Sequence, residues 1–92
     1  MLTSKERADF RAKAHHLNPI FNIGKDGIGN EFIKGIDGAL EARELIKINI
    51  LKNCDLYPQE AAEELAKKTR SEIVQVIGKK IVLYRKSRKV QR

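Results

Sequence analysis

A chain of 92 residues with 41% hydrophobic residues, 5% aromatics and no tryptophan is expected to form one domain around a small aliphatic core. Its lone cysteine, Cys54, excludes an intramolecular disulfide and a thiolate zinc cluster. The net charge of +7 is unevenly placed: residues 1–78 carry 12 basic and 12 acidic residues, whereas 79–92 carry Lys79, Lys80, Arg85, Lys86, Arg88, Lys89 and Arg92 with no acid. A block that dense implies a polyanionic partner, either nucleic acid or an anionic membrane. Apolar runs of about five residues fall far short of the ~20 that span a bilayer. Charges at Lys5 and Glu6 interrupt any signal-peptide core. The expectation is therefore a soluble, cytoplasmic chain.

The first predicted helix runs from Ser4 to Leu17. Thr3 and Glu6 have the spacing of a capping box, and Phe10, Ala14 and Leu17 share one face. Pro19 ends it and forces an extended path, so residues 20–23 read as a short strand. A second helix is expected over residues 30–43, with Phe32, Ile36, Ala39 and Leu40 on its buried side. Gly35 and Gly38 weaken that helix by about 1 kcal/mol each relative to alanine, which points to close packing there.

Alternation over residues 45–51 places Ile46, Ile48 and Ile50 on one side of a strand and Lys47 and Asn49 on the other. Asp55 and Pro58 open a third helix that runs to Thr69. Its glutamates come early and its basic residues late, as the helix dipole favours. That acidic outer face is not expected to meet a polyanion. Residues 73–77 and 81–84 are the last strands, joined at Gly78 and Lys79 by a two-residue turn. The order αβαβαββ gives an α+β fold, an α/β sandwich of one four-stranded mixed sheet packed with three helices. Residues 1–85 make up the domain, and residues 86–92 have no apolar pattern and read as a basic, mobile tail.

Chemistry is sparse. His15 and His16 are neighbours whose side chains point about 100° apart on a helix, so they cannot share a metal as residues four apart can. No Ser/His/Asp set or paired carboxylates stand out, and no cofactor, metal or small-molecule substrate is expected. The glycines of Gly24-Lys25-Asp26-Gly27-Ile28-Gly29 are spaced G-x-x-G-x-G, which is not the dinucleotide fingerprint. Gly78-Lys79-Lys80 lacks the rest of a P-loop. What remains is a strand–loop–helix junction. Its glycines let a phosphodiester approach, and the free amides at the helix start then face that anion. Lys25 adds a positive charge, and Asp26 partly opposes it.

Four blocks resemble the CRM domain, the RNA-binding module of small bacterial YhbY-type proteins and of organellar splicing factors. They are residues 14–17 (AHHL) before Pro19, residues 23–27 (IGKDG), residues 39–47 (ALEARELIK) and residues 77–85 (IGKKIVLYR). The resemblance implies a fold similar to the C-terminal domain of bacterial translation initiation factor three. It also implies association with precursors of the large ribosomal subunit. The clamp residues of its GxxG loop carry over to Gly24, Lys25, Asp26 and Gly27. One departure lies just after the loop, where members often place Leu-Thr and this chain has Ile28-Gly29. The missing threonine removes a natural N-cap, leaving Asn30 as the alternative.

Taken together, the expectation is a monomeric, non-enzymatic protein of ribosome assembly that docks on ribosomal RNA. Gly24, Lys25, Asp26 and Gly27 hold one phosphate and Lys34 reaches a neighbouring one. Lys79, Lys80, Arg85, Lys86 and the tail supply longer-range attraction. A protein–protein adaptor contacting ribosomal proteins is the alternative. A duplex-DNA binder would share the charge but needs a recognition-helix pattern that this chain lacks.

Overall fold

A computed structural model describes residues 2–87. The elements run α1 (Ser4–Ala14), β1 (Phe21–Ile23), α2 (Asn30–Arg43), β2 (Leu45–Ile50), α3 (Pro58–Thr69), β3 (Glu72–Ile77) and β4 (Lys80–Tyr84). The sheet has the order β1-β2-β4-β3. β1 lies parallel to β2, and β4 is antiparallel to both β2 and β3, so the sheet is mixed. The expected α+β sandwich of seven elements is observed.

Alternation along the strands sorts the two sheet faces. One face carries Ile23, Ile46, Ile48, Ile50, Ile81 and Leu83, all buried. Ile36 and Leu40 of α2 and Ala61, Ala62 and Leu65 of α3 complete this core. Burying each aliphatic side chain of this kind contributes about 1.5–3 kcal/mol. Gly35 of α2 suits this packing: a Cβ there would sit 3.1 Å from the ring edge of Phe21, which would have to shift by a few tenths of an ångström. The Phe21 ring in turn meets Phe32 edge-on at 5.7 Å.

The opposite face is covered only in part. α1 lays Ala14 and Phe10 over Val74, Val82, Leu45 and Tyr84. Alternation along β3 turns Val74 toward α1, and a bulge between Ile73 and Gln75 shifts the register so that both Ile73 and Val76 reach the larger core. Phe10 stacks on Tyr84 with ring centroids 4.2 Å apart. The capping box appears as expected, with Glu6 accepting from the Thr3 amide at 2.9 Å and the Thr3 hydroxyl accepting from the Glu6 amide at 3.1 Å. The Thr3 amide holds the Glu6 carboxyl below its usual range, and the Thr3 side chain adds to the effect. The cap is therefore formed above the ordinary carboxylate pKa and is lost as pH falls through the lowered one.

α1 ends at Ala14, three residues earlier than expected. Asn18 precedes a proline and is pushed out of helical conformation. The chain tightens before it: His16 donates to Lys13 O and Leu17 to Ala14 O, both three residues back. Leu17 is left exposed.

Because α1 rests on so few apolar contacts, Phe10→Ala should detach it selectively. The expected cost is about 2–3 kcal/mol, below that of a fully buried phenylalanine. Amide exchange should accelerate throughout α1 and stay slow in β2 and β4. Uniform acceleration in all elements would show that α1 folds as one unit with the sheet.

Candidate nucleic-acid interface

The Gly24–Gly27 loop closes as a tight turn, with the Gly27 amide donating to Gly24 O at 3.0 Å. Lys25 and Asp26 form its exposed tip. Gly27 has φ +69°, the left-handed region that a side chain would strain. α2 then starts at Asn30 with Gly29 as N-cap, and no side chain caps it. Asn30 does not take over the capping role. The departure from Leu-Thr therefore leaves the first amides of α2 open to an incoming acceptor. Loop and helix start enclose an open hollow of about 460 Å³, lined among others by Asn22, Lys25, Gly27, Gly29 and Asn30.

Two further loops meet this one at the same end of the sheet. The Leu51 amide donates to Ile23 O at 2.9 Å, which ties the segment after β2 to the start of the clamp loop. The Ile50 amide donates to Lys79 O at 2.7 Å, which ties in the β3–β4 turn. Lys25, Lys52, Lys79 and Lys80 are all exposed there. Lys34 lies about 6 Å further along α2. It approaches Glu31 at 3.8 Å, but both side chains are largely exposed, so that pair holds its charge only loosely. Asp26 and Glu31 also border the hollow, so the attraction comes from amides and surrounding lysines together.

The structure divides the basic block that the sequence presents as one. β4 runs away from the clamp loop, so Lys79 and Lys80 sit beside it and residues 85–86 lie beyond the far end of the strand. The strand alone separates Lys80 from Tyr84 by about 13 Å, more than the Debye length of ~8 Å at physiological salt.

Arg85 is a correction to the expected contact set. Its side chain is only 10% exposed and pairs with Asp37 and Glu41. It also donates to Thr69 O at 2.8 Å and Asp37 O at 3.0 Å. Its charge is spent inside the protein, joining α2 and the end of α3 to the end of β4. Lys86 is exposed but belongs to the far end. The expected tail boundary also moves: Ser87 is buried, its amide donating to Glu44 at 2.6 Å and its hydroxyl to Glu41 at 2.8 Å. Arg88, Lys89 and Arg92 lie outside the described residues.

This division has a measurable consequence. Replacing Lys79 and Lys80 together by alanine should flatten the slope of log affinity against log salt by about 1.4–1.8, the loss of two phosphate contacts. Lys86→Ala should change the slope by much less. Equal slopes for the two variants would mean that polyanion binding does not distinguish the two ends.

Tyr84, the one strand residue that could have stacked on a base at this face, is occupied by Phe10. His15 and His16 meet edge-on at 5.6 Å. Among the described residues, no group of three His, Cys, Asp or Glu side chains could hold a metal ion. No helix among them is long and apolar enough to cross a membrane.

Fold and site together describe a small α/β sandwich that presents an open strand–loop–helix junction ringed by lysines. The chain belongs to the CRS1 / YhbY (CRM) domain family, whose profile matches residues 2–85. It is 52% identical over 88 residues to the "Probable RNA-binding protein YqeI" of Bacillus subtilis (strain 168), covering 96% of this chain and 92% of that one. It is 33% identical over 86 residues to a Haemophilus influenzae protein named "RNA-binding protein", covering 94% of this chain and 87% of that one. The solution structure of SAV1595 from Staphylococcus aureus superposes with a TM-score of 0.82 at 50% identity, covering 99% of this chain and 95% of that one.

Proposed function

We propose that this protein binds structured RNA through the Gly24–Gly27 loop and the start of α2, and that its target is ribosomal RNA of the large-subunit precursor during assembly. The observation that carries this reading is the uncapped N-terminus of α2 behind a tight glycine turn, with Lys25, Lys79 and Lys80 around it. Amides and dipole hold a phosphate there, and the lysines neutralise its neighbours. The names of the relatives support RNA as the ligand. The role in assembly rests on the resemblance to YhbY-type proteins. The protein acts as a cytoplasmic monomer and a binder without a chemical step. Readout follows RNA shape and backbone more than base identity, because the interface offers no exposed aromatic on its strands.

Cross-linking in cells followed by sequencing of the bound RNA tests this directly. Reads should concentrate on large-subunit precursor RNA. Cross-links confined to ribosomal proteins would favour the adaptor reading instead.

A further inference from the structure

The half of the sheet that α1 leaves uncovered carries one transverse row of side chains. Asn22 of β1 pairs in register with Asn49 of β2, Asn49 with Lys80 of β4, and Lys80 with Ile77 of β3. Residues paired in this way project on the same face. Three of them are linked: Lys80 Nζ donates to Asn49 Oδ1 at 3.2 Å, and Asn49 Nδ2 donates to Asn22 Oδ1 at 3.2 Å. Ile77 ends the row, 60% exposed.

The chain of bonds has a fixed direction. A lysine ammonium has donors and no acceptor, so Asn49 must turn its carbonyl toward Lys80. Its amide nitrogen then faces Asn22, and Asn22 must accept. The Asn22 Nδ2 group is left with its two N–H donors and has no protein partner among the described residues. Asn22 also lines the hollow in front of the clamp loop. A donor is therefore held in one orientation beside the site where a phosphate would lie.

We infer that Asn22 is a second RNA-contacting residue, oriented by Asn49 and Lys80, that donates to an acceptor on the nucleotide adjoining the clamped phosphate. The acceptor is a base carbonyl or ring nitrogen, or the next phosphate oxygen. This deepens the RNA-binding reading above and rests on it. Lys80 acts here as a positioning residue through Asn49 as well as through its charge.

A double-mutant cycle on the full chain tests the relay, with homopolymeric oligonucleotides of uridine, adenosine and cytidine as probes. Asn22→Ala should weaken binding about fivefold, the effect of one hydrogen bond, without changing the salt slope. Asn22→Leu, which keeps the side-chain volume, should give the same loss. In a Lys80→Met background, Asn49 is free to turn and Asn22→Ala should cost less than twofold. Circular dichroism melts confirm that all variants fold. A loss concentrated on one homopolymer identifies a base acceptor, and an equal loss on all three identifies phosphate. The inference is overturned if Asn22→Ala binds like wild type, or if its effect is fivefold in both backgrounds. Failure of the RNA reading itself would look different, because wild type would then bind neither these probes nor large-subunit ribosomal RNA.

Discussion

Arg85→Ala should destabilise the folded domain by about 2–3 kcal/mol, a fall in Tm of about 10–20 °C for a chain of this size. The arginine is 10% exposed, and its removal takes the compensating charge away from Asp37 and Glu41, one turn apart on α2. Removing one partner of a buried pair usually costs about 3–5 kcal/mol. The lower figure applies here because Asp37 is 47% exposed and water can reach it. Thr69 O and Asp37 O each lose the bond that Arg85 donates as well. Arg85→Lys should recover only part of the loss, since an ammonium cannot present the planar fork that meets a carboxylate and two carbonyls together. Thermal melts with urea titrations check this. A variant as stable as wild type would return Arg85 to the set of free surface cations.

Lys25→Asp should have the largest effect on binding. It removes a positive charge from the tip of the turn and places a negative one beside Asp26. Two like charges would then face the phosphate at close range. We expect affinity for ribosomal RNA to fall about 10- to 100-fold, or ~1.4–2.8 kcal/mol. Stability should stay within about 0.5 kcal/mol, because the side chain is exposed and makes no contact that the fold needs. Gly27→Ala is a less selective probe. Its φ of +69° strains any side chain, so folding and binding change together.

Much of this architecture is legible in local pattern. The alternation of Ile46, Ile48 and Ile50, the period of Ile36 and Leu40, and the Thr3–Glu6 spacing each report a constraint that acts over a few residues. The clamp loop is legible for the same reason, since its glycines, lysine and following helix are contiguous. What sequence proximity misreports is the basic block. Lys80 and Arg85 are five positions apart, yet a strand carries them to opposite ends of the sheet. Nothing local marks Arg85 as buried either. Its partners Asp37 and Glu41 are more than 40 positions away. The missed residues of the site, Asn22, Asn49 and Lys52, are brought to the loop by strand register and by the turn after β2. A partial signal was present in the alternation, which already set Asn49 opposite the buried isoleucines. The strand order that joins it to Asn22 and Lys80 depends on long-range pairing.

Whether the Gly24–Gly27 loop holds an RNA phosphate is read from a salt titration of ribosomal RNA binding by wild type and Lys25→Ala, both shown to be folded by circular dichroism. If Lys25 neutralises one phosphate, the slope of log affinity against log salt should flatten by about 0.7–0.9 in the variant. Equal affinity and equal slope for the two folded proteins would show that Lys25 touches no phosphate and reduce the loop to a turn.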